Sequence, residues 1–256
     1  MKVLIKLGGT LLDEPQSRAS LARQIAGALD RGAAVVVVHG GGKQMTRFLA
    51  ERGVESRFVD GLRVTTPEVL DAVLKVFAGS VNHQLVAEFI AAGVDAVGLT
   101  GIDARLTEAE QLRPELGAVG MPVRSNPAVL HTLIAGGFLP VVACVAGDRA
   151  GNIYNVNADQ MAVACAASFG ADRLLFLTDV DGVRGAGGSI LKSLTPAACQ
   201  ELITAGVATG GMQAKLNSAC QAIQQGVPEV VIAPGAAPDV VARLLDGEPL
   251  GTRLAP

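Results

Sequence analysis

Short β-rich runs alternate with longer helical ones along this chain. That pattern predicts an α/β fold: an open, mainly parallel sheet sandwiched by helices. Two further observations support it. Half of the residues are hydrophobic but only 3% are aromatic, so the core must be built from Val, Leu, Ile and Ala. Such a composition suits parallel strands covered on both faces by Ala-rich helices. Glycine clusters also fall at the ends of the apolar runs, where open sheets of this kind bind their ligands.

The elements follow in order. Val3–Leu7 reads as a first strand, ended by Gly8-Gly9, and a helix follows from about Ser17 to Arg31, with Leu21, Ile25 and Leu29 on one face. Ala34–Val38 is a buried strand, and His39-Gly40-Gly41-Gly42 opens a helix over Lys43–Arg52. Thr66 and Pro67 suit the cap and first position of a helical segment that runs to about Ala92. Ala96–Leu99 is a strand, followed by a polar, less regular stretch from Asp103 to Arg124. Asn126–Gly137 is expected to be helical, Pro140–Val145 a strand and Gly147–Tyr154 a hairpin. Helices over Ala158–Phe169, Pro196–Ala205, Met212–Gln225 and Pro238–Leu245 then alternate with strands over Arg173–Thr178 and Glu229–Ile232. The length allows one large domain or two joined lobes.

Several function classes are excluded early. The formal net charge is -3 and no basic cluster stands out, so a nucleic-acid partner is not expected. Mean hydropathy is +0.41, yet the longest apolar stretches are far shorter than a membrane span. Lys6 and Gly8-Gly9 interrupt the apolar start at once, unlike a signal peptide, and no membrane is expected. Cys144, Cys165, Cys199 and Cys220 lie scattered in apolar surroundings without metal-ligand spacing, which fits buried reduced thiols. A cytoplasmic location is the resulting expectation.

Six motifs could carry chemistry. Lys6 sits inside an apolar strand, and a lone buried ammonium is costly, so it must be paired or face a polar site. Gly8 and Gly9 after it would let backbone N–H groups approach an anion, although an edge-strand lysine followed by a turn accounts for this stretch equally well. His39-Gly40-Gly41-Gly42-Lys43 places three glycines at the positive end of a helix, which favours an anion site. Its spacing fits neither the Walker A loop nor the dinucleotide fingerprint. His39 by itself reads as a satisfied structural histidine. Arg63, in Gly61-Leu62-Arg63-Val64-Thr65, could bind a carboxylate, although on this stretch alone a surface arginine with a buried stem is the simpler account. Asn155-Val156-Asn157-Ala158-Asp159 opens a helix with three polar groups, of which N-capping explains one. Thr178-Asp179-Val180-Asp181-Gly182-Val183 is either a nucleotide-contacting acidic turn or simply a tight one. Lys215 lies in the early turns of a helix, where the dipole disfavours a cation, so either an anionic ligand offsets its charge or it is simply a solvated lysine. Together these parts suit phosphoryl transfer, which needs positive charge and backbone donors rather than covalent chemistry by the protein.

In this order the motifs resemble the amino acid kinase family, across essentially the whole chain from Lys6-Leu7-Gly8-Gly9 to Gly251-Thr252-Arg253-Leu254. His39–Gly42, Gly61–Thr65 and Asn155–Asp159 resemble the branch that phosphorylates N-acetyl-L-glutamate in arginine biosynthesis. The resemblance implies an αβα fold of two lobes: residues 1–170 for the acetylated amino acid and dimerisation, residues 171–256 for ATP. It implies that Lys6 and Lys215 stabilise the transferring phosphoryl group and that Asp159 holds both lysines. Gly8 and Gly9 would lend donors to the phosphates. Gly41 and Gly42 would cradle the substrate, with Arg63 and Asn155 on its α-carboxylate. Asp179, Val180, Asp181, Gly182, Val183, Arg184, Val207, Ala208 and Thr209 match the stretches around the nucleotide, and Mg²⁺ would arrive on the ATP phosphates.

Arginine-inhibited members of the family carry an extra N-terminal helix that builds a hexamer. Here the first strand starts at Val3, so an arginine-insensitive homodimer is expected. Gly210 departs from the family in standing where related sequences often carry an acidic residue. Two other functions compete with this one: phosphorylation of N-acetyl-α-aminoadipate, one methylene longer, and a non-catalytic sensor on the same fold. The Gly61–Thr65 stretch favours the glutamate substrate, and joint retention of Lys6, Asp159 and Lys215 argues against a sensor.

Overall fold

The computed structural model describes residues 1–256 with the exception of Gly9. β1 (Lys2–Leu7) leads through α1 (Pro15–Asp30) to β2 (Ala34–His39) and α2 (Gly42–Ala50). A small hairpin, β3 (Phe58–Val59) and β4 (Leu62–Arg63), precedes α3 (Pro67–Val73), which continues as a π-helical stretch (Leu74–Val81) into α4 (Asn82–Ala91). β5 (Ala96–Thr100), β6 (Thr107–Gln111), β7 (Val119–Ser125), α5 (Ala128–Ala135) and β8 (Leu139–Ala143) follow. β9 (Val145–Gly147) and β10 (Ile153–Val156) then lead to α6 (Ala158–Phe169) and β11 (Arg173–Thr178). The chain ends with β12 (Ser193–Leu194), α7 (Pro196–Thr204), α8 (Gly210–Gln224), β13 (Glu229–Pro234), α9 (Val240–Leu245) and β14 (Thr252–Leu254).

Eight strands form one sheet in the order β12-β14-β13-β11-β1-β2-β8-β5. Every pairing is parallel except that of β13 with β14. Val35–Val38, Leu174–Leu177 and Val230–Ala233 are buried throughout, as strands covered on both faces must be. Residues up to 143 supply β1, β2, β8 and β5, and residues from 173 onward supply the rest. β1 joins the two sets by pairing with β11, which sets Lys6 opposite Phe176. Where expected, Thr66 caps α3, its hydroxyl oxygen accepting from Val69 N–H with Pro67 at the first position.

One stretch departs from the sequence-based expectation. Residues 103–124 are not irregular: β6 and β7 pair antiparallel and close with β9 and β10 into a small four-stranded barrel. Thr107 and Ala109 point inward while Glu110 and Gln111 are exposed. Packing therefore decides this segment over the weak β-propensity of its Glu, Ala and Gln. The short strands β3, β4, β12 and β14 likewise lie outside the elements that the sequence predicts. Among the described residues no helix is long and apolar enough to cross a membrane. All four cysteines are free thiols, three of them buried.

Candidate active site

The carboxyl ends of the central strands gather the charged groups. Lys6 is the penultimate residue of β1, Asp159 lies in the first turn of α6, and Lys215 is in the second turn of α8, which packs on α6. Lys6 Nζ lies 2.7 Å from Asp159 Oδ1, and Lys215 Nζ lies 3.0 Å from Asp159 Oδ2. Asn157 caps α6, its Oδ1 accepting from the N–H groups of Asp159 at 2.9 Å and Gln160 at 3.3 Å. This is the one polar residue of that trio which capping explains. A carboxylate in a first helical turn is also favoured by the helix dipole.

Lys6 is 8% exposed and Asp159 is 9% exposed. Burial opposes ionisation of Asp159, but Lys6 and Lys215 outweigh it and hold the carboxyl well below the ordinary range. The Lys215 ammonium is pushed down, first by burial and then by Lys6, while Asp159 and Asp179 pull it back. The charge that offsets Lys215 is thus supplied by the protein itself. Two ammonium groups contact one carboxylate, and Asp179 acts on Lys215 only from beyond ion-pair distance, which leaves a surplus positive charge at a nearly closed place. Such a place attracts an anion.

Beside it, the glycine loop and the barrel enclose a cavity of about 160 Å³, lined in part by Gly41, Phe58, Arg63, Phe77, Asn155 and Ala158. Gly42 lines it too, at the start of α2. Gly41 must lack a side chain, because a Cβ there would meet Phe77 Cδ1 at 2.9 Å and Val81 Cγ2 at 3.2 Å. Arg63 is 8% exposed and donates to Ser56 Oγ, to Gly42 O at 3.2 Å and to Thr46 Oγ1 at 2.8 Å. Its guanidinium also stacks on Phe58, 4.6 Å from the ring centroid. Among the described residues no carboxylate pairs with it. Burial lowers its pKa, the sign of an ion short of counter-charge. Asn155 Nδ2 donates to Thr65 Oγ1 at 3.0 Å, and Thr65 Oγ1 donates to Arg63 O at 2.9 Å, so the barrel and the β4 segment are tied together.

The expected nucleotide stretches lie around the end of β11 and the start of α8. Asp179 is close enough to Lys215 to influence its ionisation, and accepts from the Thr178 hydroxyl at 3.1 Å. Gly182 has φ +144°, and a Cβ there would meet Thr252 Oγ1 at 2.8 Å. Val183 is buried and donates to that same oxygen at 2.8 Å, whereas Val180 is exposed and Asp181 pairs with Arg184 at the surface. The N–H groups of Val207 and Ala208 both donate to Leu202 O, turning the chain from α7 to Thr209 at the cap of α8. Gly8 N–H donates to Leu177 O at 2.9 Å, so that donor is already engaged in the sheet. Gly9 lies outside the described residues. Among the described residues no group of three or more His, Cys, Asp or Glu side chains is arranged to hold a metal ion.

The structure therefore brings Lys6, Asp159 and Lys215 into contact, and Gly41, Gly42, Arg63 and Asn155 into one cavity. Sequence reasoning missed Ser56, Thr46 and Phe58 around Arg63, and Phe77 and Val81 behind Gly41. These are ordinary residues on separate elements. Only Thr65 stood in a motif already singled out.

Residues 1–234 match the family model described as amino acid kinase family. The acetylglutamate kinase of Solibacter usitatus is 65% identical over 254 residues, spanning 99% of each chain. A solved structure of smu.665 from Streptococcus mutans UA159 superposes with a TM-score of 0.86 at 28% identity, covering 99% of this chain and 98% of that one. An N-acetylglutamate synthase from Neisseria gonorrhoeae, complexed with coenzyme A and N-acetyl-glutamate, gives 0.89 at 25% identity. It covers all of this chain but 59% of its own length.

Proposed function

This chain belongs to the amino acid kinase family, and from that premise we propose that it transfers the γ-phosphoryl group of ATP to the side-chain carboxylate of N-acetyl-L-glutamate, a step of arginine biosynthesis. The observation that carries this reading is a pair of buried, under-compensated cationic centres side by side. Lys6 and Lys215 share one carboxylate, and Arg63 has none among the described residues. A substrate with two carboxylates answers both centres. One carboxylate meets the guanidinium, and the other faces the lysines where phosphoryl transfer develops negative charge.

In this reading Arg63 and Asn155 take the α-carboxylate, and Gly41 and Gly42 cradle the acetylated backbone. Lys6 and Lys215 stabilise the phosphoryl group in flight, with Asp159 holding both ammonium groups in place. No general base is required, because a carboxylate is ionised and nucleophilic near neutral pH. ATP would approach from the second half of the sheet, along Asp179–Arg184 and Val207–Thr209. Gly8 would contribute by its lack of a side chain, since a Cβ there lies 3.0 Å from Leu177 O. Mg²⁺, entering on the ATP phosphates, would neutralise charge on their oxygens. In this reading residues 1–170 would form the lobe for the acetylated amino acid and residues 171–256 the lobe for ATP. A homodimer in the cytoplasm completes the proposal. The free edge of β5, with Ile90 exposed on the neighbouring α4, supports such a contact.

The test is ADP release by the purified protein with ATP, Mg²⁺ and N-acetylglutamate, run beside N-acetylaminoadipate and a blank. Hydroxamate trapping identifies the acyl phosphate. Preference for the longer analogue would move the assignment to the aminoadipate substrate, and silence with both in an ATP-binding protein would favour a sensor. Light scattering reads the dimer.

A further inference from the structure

His39 ends β2 and is fully buried. Its Nδ1 lies 2.8 Å from Gly40 O. A carbonyl oxygen only accepts, so Nδ1 carries the proton. Its Nε2 lies 2.9 Å from Asn82 Nδ2, which also donates to Val141 O at 2.9 Å. An amide nitrogen only donates, so Nε2 is the unprotonated acceptor. Two contacts thus fix one neutral tautomer between the glycine loop and the start of α4.

The Gly40–Gly41 peptide is trans, so the Gly40 carbonyl and the Gly41 N–H point in opposite directions. Holding the carbonyl against the buried imidazole turns the Gly41 N–H to the other side. That side is the cavity, which Gly40 and Gly41 line and His39 does not. Among the described residues Gly41 N–H has no hydrogen-bond acceptor. A peptide between two glycines has little of its own to keep it from rotating, since neither residue has a Cβ to restrict it.

We infer that His39 is a positioning residue for the transfer: its neutral ring fixes the Gly40–Gly41 peptide so that Gly41 N–H is presented to the substrate anion. The inference rests on the reading of this cavity as the acyl-acceptor site. A packing role alone would need a ring of that size, but not a proton on Nδ1.

Two substitutions separate the ring's contacts. In His39→Asn the amide falls near the position of Nδ1 and still donates to Gly40 O. In His39→Gln the amide falls near Nε2, keeping Asn82 and losing Gly40. With wild type as the reference, His39→Asn is expected to retain kcat within about threefold. His39→Gln is expected to lose roughly 10- to 100-fold, somewhat less than outright loss of one transition-state donor. KM for ATP should be unchanged in both. If kcat falls in parallel with melting temperature in the two variants, the ring is only packing and the inference is overturned. Long-range proton–nitrogen NMR of the wild-type imidazole gives a check that needs no variant: a ring protonated on Nε2 near neutral pH would also overturn it. An inactive wild type would instead remove the substrate assignment, and the inference with it.

Discussion

Asp159 Oδ2 receives Lys215 Nζ at 3.0 Å across 56 residues of chain, at the junction of α6 and α8. The other oxygen of the same carboxylate holds Lys6 at 2.7 Å. This pairing makes two nearly closed ammonium groups tolerable without cancelling their charge. The surplus positive charge is available to an anion that gains charge density as it reacts.

Removing one lysine should therefore damage catalysis more than folding. Lys6→Ala or Lys215→Ala leaves Asp159 paired with the remaining ammonium, so no buried charge is orphaned. Loss of one transition-state contact of this type lowers kcat by about 10²–10³. The measurement is kcat beside the circular dichroism spectrum and melting temperature. Near-normal turnover in either variant would refute the assignment.

Asp159→Asn has the opposite balance, because it strands two buried cations at once. Breaking a buried ion pair from one side costs about 3–5 kcal/mol, so stability should fall together with activity. The pH dependence gives a second signature. The folded carboxyl titrates well below its unfolded value, held there by the lysines against the opposing effect of burial. Its contribution is thus fully present above about pH 4 and is lost as pH falls below that value. Urea unfolding of wild type and Asp159→Asn should show a gap that narrows below about pH 4. A gap that is flat from pH 6 to pH 3 would contradict this linkage.

Much of this was legible in the sequence, for identifiable reasons. The strands over Val3–Leu7, Ala34–Val38 and Arg173–Thr178 are continuous apolar runs, which only a sheet covered on both faces explains. Lys6 betrayed itself by interrupting such a run, and Gly41 by an entropic cost without a turn to justify it. The barrel was not legible. Glu108, Ala109, Glu110 and Gln111 have no strong strand preference, and β6 exists because β7 and β9 pair with it. The surroundings of Arg63 were hidden for a related reason: Ser56 and Thr46 meet its guanidinium only after β3, β4 and α2 fold together. His39 was legible as a satisfied structural histidine, but its tautomer needed the positions of Gly40 O and Asn82.

Arg63→Lys tests the carboxylate end of the cavity. The guanidinium is held by three oxygens in a fixed fork, which an ammonium cannot reproduce. The expected result is a KM for N-acetylglutamate raised by roughly tenfold or more, with KM for ATP unchanged, as loss of a charged hydrogen bond of about 1.5–3 kcal/mol requires. An unchanged KM for N-acetylglutamate would place its α-carboxylate elsewhere.

Gly41→Ala tests whether the loop's geometry is imposed by packing from behind. The added Cβ would sit 2.9 Å from Phe77 Cδ1 and 3.2 Å from Val81 Cγ2, both on the π-helical stretch. Overpacking of this kind costs about 1–3 kcal/mol, and because Gly41 and Phe77 both line the cavity, its wall changes whichever of them gives way. Activity with N-acetylglutamate should fall while the fold persists. Phe77→Ala removes the opposing ring, so the double variant Gly41→Ala/Phe77→Ala should recover part of the loss that Gly41→Ala causes alone. A double-mutant cycle in kcat/KM reads this coupling directly, because the two positions touch and their effects should not add. Strict additivity would mean that the added methyl group acts on the substrate itself and that the π-helical stretch does not shape the loop.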